Sequence, residues 1–233
     1  MSTHHMEEEQ LDNIKRFWKE NGSKLLSGVA LVAVVVGGWF YYQERQAHYY
    51  ETAAVEYHKL LELMEKEGQD PKELAQVEQQ AQLIQKEYAK SPYAAAGALL
   101  VAKQAVDHGN IPDAKAQLEW IILNSKENDL VQLAHARLAR ILLSEKNYEA
   151  ALKEVENYKG NRYEAEFQEI RGDIFYSMQK TAEARAAYDA ALKSMPDTPE
   201  KMLVQMKYDD LASPTDMLWS PESAAGKTEE KKP

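Results

Sequence analysis

Residues 25–42 read LLSGVALVAVVVGGWFYY, eighteen consecutive positions without a charge. A helix rises about 1.5 Å per residue, so this run spans about 27 Å, close to the hydrocarbon thickness of a bilayer. It ends in Trp39, Phe40, Tyr41 and Tyr42, amphipathic rings suited to the headgroup zone, and Trp18 stands on the near side. A buried globular helix in so polar a chain would carry a polar face, and this run has none. A cleaved signal peptide fits poorly too: the apolar core is long, 24 residues precede it, and no A-x-A-like site follows. The run predicts one transmembrane helix over 25–42.

Lys and Arg near the two ends set the orientation. Lys15, Arg16, Lys19 and Lys24 precede the span, and Arg45 stands alone just after it. Residues 1–24 are therefore expected in the cytoplasm, and the long remainder across the membrane. In a bacterial inner membrane that remainder is periplasmic. Gly28, Ala33 and Gly37 are small residues within the span, candidates for close approach of another transmembrane helix, with Ala33-x-x-x-Gly37 the local motif.

Beyond the span the apolar residues recur at three and four. Tyr50, Ala53, Ala54, Tyr57, Leu60, Leu61 and Met64 form one helical stripe; Leu74, Val77, Ala81, Ile84 and Tyr88 form the next. Asp70-Pro71 and Ser91-Pro92 place a cap residue before a proline, a helix-start device. Further breaks fall at Gly109-Asn110, between Asn124 and Asp129, at Lys146-Asn147, Gly160-Asn161, Gln179-Lys180 and Met195-Pro196. The helices between them are expected to run about 11 to 18 residues.

This rhythm is a repeat. After Gly172 come Phe175, Ala184, Tyr188, Ala191 and Pro196, offsets that match the tetratricopeptide pattern: a small residue to admit the neighbour, alanines at the crossing, an aromatic plug, a terminating proline. Degenerate copies carry Leu138-Ala139, Leu142, Tyr148, Ala151 and Val155, and before them Val101-Ala102, Ala105, Ala114 and Leu118. Ala102, Ala139 and Gly172 are 37 and 33 residues apart, bracketing the usual spacing of about 34. Met202, Leu203, Met206 and Leu211 mark a terminal capping helix over 199–211. The fold class is all-α: a transmembrane helix, then a tetratricopeptide-like helical-hairpin solenoid over 43–211. Residues 212–233 lack periodicity and read as a disordered tail. Its one apolar island, Met217-Leu218-Trp219, suits either a local dock onto the cap helix or a short partner-binding motif.

The 233 residues carry 28 Lys plus Arg against 38 Asp plus Glu, a net charge of −10. That argues against nucleic acid as the main partner, which needs a basic face. With no cysteine, a disulfide scaffold, a Cys-ligated zinc site and a thiol nucleophile are excluded. The six histidines show no metal spacing. His135 falls inside a repeat helix as a packing residue, and His108 beside Gly109 suits a helix C-terminus. Ala225-Gly226-Lys227-Thr228 lacks the glycine and the strand of a phosphate loop. No cofactor and no catalytic activity are expected.

Binding is the better destination. In tetratricopeptide arrays the first helix of each repeat lines a groove, and the consensus offsets select Leu99, Lys103, Ala136, Arg140, Glu169, Asp173 and Tyr176. Two cations then occupy one sector and two carboxylates the next, a surface suited to a peptide with polarity. The lysine and asparagine set that clamps a peptide C-terminal carboxylate in other arrays is not evident.

These residues together resemble the YfgM-like family of ancillary SecYEG translocon subunits. The resemblance is carried by Glu8-Glu9-Gln10, by Ile14 through Gly22 before the glycine-bearing span, by Tyr88 through Ala94, by Leu138-Ala139-Arg140, by Arg171-Gly172-Asp173 and by Met206 through Leu211. It covers roughly residues 7 to 211. It implies a single-span inner-membrane protein with a periplasmic repeat domain, associated with the SecYEG translocon and a PpiD-like membrane-anchored chaperone, that helps pass unfolded secretory polypeptides to periplasmic chaperones. The alternative is a tetratricopeptide accessory of another envelope assembly, such as cytochrome c maturation.

Overall fold

A computed structural model of the chain describes residues 3–65, 71–156 and 162–211. Asp70, Gly160-Asn161 and everything from 212 onward, including the apolar island and the Lys227 segment, lie outside the described residues. The described residues form helices and turns, and two compact units divide at Val55 and Glu56.

The first helix, α1 (Thr3–Glu65), runs without interruption. The reason is compositional: no Gly or Pro occurs between Trp39 and Glu65, so nothing breaks the ladder between the apolar run and the first repeat stripe. Within the first unit the most apolar window of α1 is 0% buried, and Val34 is 74% exposed. A soluble core helix would show the opposite, so the helix is long enough and apolar enough to cross a membrane.

The second unit comprises the last turns of α1, then α2 (Pro71–Glu87), α3 (Pro92–Asp107), α4 (Ile111–Asn124), α5 (Asn128–Ser144), α6 (Tyr148–Glu154), α7 (Glu164–Ser177), α8 (Thr181–Ser194) and α9 (Pro199–Asp210). From α2 onward each helix packs on the next, and α3 also meets α5, and α5 meets α7. Both predicted proline starts hold: Pro71 and Pro92 open α2 and α3, and the Ser91 hydroxyl accepts the Ala94 N–H at 3.3 Å.

The three described hairpins share one turn. Gly109, Lys146 and Gln179 all adopt positive φ, at 74°, 62° and 62°. The following N–H groups of Asn110, Asn147 and Lys180 reach back to the carbonyls of Ala105, Leu142 and Phe175 at 2.7, 2.9 and 2.9 Å. This left-handed closure satisfies carbonyls that the helix end would leave unpaired. The turn residues are 37 and 33 apart, matching the spacing of Ala102, Ala139 and Gly172. The repeat is thus structural as well as compositional.

Three apolar clusters follow one another. Leu60, Val77, Ala81, Ile84, Ala94 and Val101 form the first. The largest runs from Ala95 to Ile174 through α3–α7. Ala184, Tyr188, Ala191 and Val204 close the array, with Phe175 and Leu211 against them. Gly172 is required here: a Cβ at that position would overlap the Tyr188 ring. The expected small residue and aromatic plug therefore meet. One length differs from expectation. Helix α6 has 7 residues, because Val155 turns inward, 3% exposed, and its N–H reaches only to Leu152.

Candidate functional site

The first helices of the three hairpins, α3, α5 and α7, carry the predicted surface residues, and α9 follows α8 and packs on it. Two of the seven residues present no surface. Leu99 is 7% exposed and Ala136 is 0% exposed, both inside the central cluster. Close helix crossing demands small or apolar groups at these positions, and Arg137 of α5 reaches the Leu99 carbonyl at 3.2 Å. Consensus offsets alone do not separate a packing position from one a turn-fraction away.

The five others are at the surface, and four of them are paired within the chain. Lys103 meets Asp107 one turn along α3 at 3.1 Å. Arg140 of α5 crosses to Glu166 of α7 at 2.6 Å. Glu169 and Asp173 of α7 meet Lys207 of α9 at 2.7 and 2.8 Å. The Tyr188 hydroxyl of α8 donates to Asp173 at 2.8 Å. Cations and carboxylates expected on separate sectors thus form a ladder, in which the acidic face of α7 joins α5 on one side and α9 on the other. Tyr176, one turn beyond Asp173, is 60% exposed.

Burial of the Lys207 ammonium opposes its charge, yet hydrogen bonds to Asp173 and Glu169 outweigh this and hold its pKa above the ordinary lysine value. Burial, together with the hydrogen bond to Asp173, raises the Tyr188 pKa, so the hydroxyl remains a donor. Glu166 and Lys207 escaped the sequence reading. Arg140 and Glu166 are 26 residues apart and Lys207 and Asp173 are 34. Only the second separation is close to the repeat spacing, so the sequence carried no common signal for the two pairs.

In the apolar run, Gly28, Ala33 and Gly37 are exposed, and added Cβ atoms at Gly28 and Gly37 would meet nothing within 4 Å. At about 100° per residue, Ala33 and Gly37 lie about 40° apart on one face, whereas Gly28 is about 140° round from Ala33. The helix brings two of the three together.

His135 lies 2.7 Å from Glu154, and His108 caps α3 with its Nδ1 2.9 Å from the Gln104 carbonyl. Both serve packing or capping. Among the described residues no group of three or more His, Asp or Glu is placed to hold a metal ion.

Helix α9 presents a second feature. Val204 is 1% exposed and faces the last cluster, while Met202, Leu203 and Met206 are 70%, 60% and 62% exposed. An array end normally offers water a polar face.

Comparison with known proteins supplies the context. Residues 15–213 match the family described as a tetratricopeptide repeat-like domain. An ancillary SecYEG translocon subunit of Neisseria gonorrhoeae is 32% identical over 91% of this chain and all of the relative. Its Escherichia coli namesake is 29% identical over the same shares. The Haemophilus influenzae protein of that name is 26% identical over 88% of this chain and 97% of its own length. No solved structure matches.

Proposed function

We infer function from one premise: this chain belongs to the tetratricopeptide repeat-like family of the ancillary SecYEG translocon subunits. It acts without catalysis, as a membrane-tethered protein-binding scaffold at the translocon. The observation that carries this reading is the bare apolar window of α1 on the same chain as a repeat domain made for protein contacts. Relatives covered over their full length bear the translocon in their names.

The tether works through local concentration. A surface confined beside its partner is occupied even when each contact is weak. The span lies in the inner membrane, with residues 1–24 cytoplasmic and the repeat domain periplasmic. Four cations before the span against Arg45 after it support that orientation. There the domain meets a PpiD-like anchored chaperone and helps pass emerging polypeptides onward. Lys103, Arg140 and Tyr176 are the surface residues best placed to touch a partner.

Protease added to intact spheroplasts is expected to digest the repeat domain, and inverted vesicles to protect it. Photo-crosslinkers at Lys103, Arg140 and Tyr176 are expected to capture a translocon subunit or an anchored chaperone. Protection in spheroplasts, or adducts with cytosolic proteins alone, would overturn the reading.

A further inference from the structure

One residue at the edge of the apolar run is buried without belonging to any core. Among residues 15–24 of α1, which precede that run, Gly22 alone is buried. The Trp18 indole covers it: a Cβ at Gly22 would come 3.1 Å from Cε3 and 3.7 Å from Cζ3 of that ring. A helical side chain ordinarily leans toward the helix N-terminus. Here the ring lies over the residue one turn later, toward the span. Gly22 is three residues before Leu25, so the ring sits about 4.5 Å outside the apolar run, although the Trp18 backbone stands about 10.5 Å outside it. The headgroup zone is about 5–7 Å deep on each side of a bilayer. An indole, with an apolar body and one N–H donor, suits that depth. Trp18 remains 55% exposed, so the ring still has a face to offer.

Cations flank the ring. At about 100° per residue, Lys19 lies about 60° round from Gly22, with Ser23 about 40° and Arg16 about 60° on its other side. Leu26, at the start of the apolar run, lies within about 20° of Lys19. Lys24 is about 140° away from Lys19, and Glu20, the one carboxylate of residues 15–24, about 100° away. Arg16 and Lys19 are exposed, and among the described residues no ion pair engages either. The repeat unit treats its cations differently: Lys103, Lys115, Arg140 and Lys207 each hold a carboxylate. An apolar line below, a ring at headgroup depth and two cations above complement one kind of molecule. Its acyl chain lies along Leu26, and the net negative charge of its headgroup meets Lys19 and Arg16, whose long stems let the charged ends reach the phosphate level.

We propose that Trp18, Lys19 and Arg16 form a binding site for an anionic phospholipid of the membrane, and that Gly22 is the residue that lets the indole reach headgroup depth. The proposal rests on the reading of α1 as a membrane span and is independent of translocon association.

The chain has four Trp, so Trp39→Phe, Trp120→Phe and Trp219→Phe in the full-length protein leave Trp18 as the sole indole. This chain is reconstituted in vesicles of equal parts phosphatidylglycerol and phosphatidylcholine, with only one of the two lipids brominated near the headgroup end of its chains. Trp18 quenching is expected to be about twofold stronger when the phosphatidylglycerol carries the bromine. Arg16→Gln with Lys19→Gln should make the two lipids equal, Lys24→Gln should leave the preference in place, and Gly22→Leu should weaken quenching by both. A second reading uses the chain with all its Trp: lipid retained in mild detergent, quantified by mass spectrometry, should favour phosphatidylglycerol and lose that preference with Arg16→Gln and Lys19→Gln. Equal quenching by the two lipids, or as large a loss from Lys24→Gln as from the Arg16 and Lys19 pair, would overturn the site. A chain that does not float with the vesicles would overturn the span, and the site with it.

Discussion

Gly172 and Tyr188 show what a single atom decides. The ring of Tyr188 occupies the space a Cβ would need, its hydroxyl donates to Asp173, and that carboxylate holds Lys207. Gly172→Ala should therefore cost about 1–3 kcal/mol by overpacking, read as a lower Tm of the full chain in detergent. Gly97→Ala should cost less, because its Cβ would press on the terminal Cδ2 of Leu60, at 3.1 Å, and meet Tyr57 Cδ2 only at an ordinary 3.9 Å. Both Lys207 and Tyr188 have folded pKa values above their ordinary ones. A raised pKa stabilises the fold fully below the ordinary value and loses that contribution as pH rises through the folded one. Stability should fall from about pH 10 upward, beginning near the ordinary tyrosine value and then the lysine value of 10.5. Lys207→Met should flatten the lysine part of that slope. At neutral pH it should cost about 1 kcal/mol, discounted because Lys207 is 37% exposed. Thermal unfolding between pH 8 and 11 reads both effects. Of this constellation, the glycine and the ring were legible from the repeat offsets. The ion pairs were not, because pairing across helices depends on inter-helix register, which no local spacing encodes.

Elements were read more completely than contacts. Proline starts and hairpin breaks coincide with the helix ends, since each rests on local backbone chemistry. The left-handed state of Lys146 and Gln179 was hidden, because neither residue favours positive φ as Gly109 does. Gln179→Gly should relieve that strain and stabilise the chain by about 0.5–1 kcal/mol, the gain being partly offset by a freer unfolded backbone. A lower Tm would contradict the assigned turn. In α1, Ala33→Leu with Gly37→Leu should reduce the translocon recovered with the tagged protein, while Gly28→Leu should leave it unchanged, since only the first two share a face. Equal loss from both would remove the shared face from the account.

At the scale of the whole chain, the apolar helix and the repeat domain fall in two compact units whose boundary lies within α1. Residues 56–65 belong to the repeat unit, and Leu60 is buried against Val77, Ile84 and Val101. Removing residues 1–42 therefore spares this packing. The single span was legible because eighteen uncharged positions admit few alternatives. The consensus offsets alone do not define an exposed face, because Leu99 and Ala136 satisfy them and still face the core. The most direct measurement compares full-length protein with the 43–233 fragment exported to the periplasm, each tagged and recovered in mild detergent, with translocon subunits quantified in the eluates. The account predicts that the full chain brings down the translocon and that the fragment, though helical and folded, does not. Equal recovery with the fragment would contradict it.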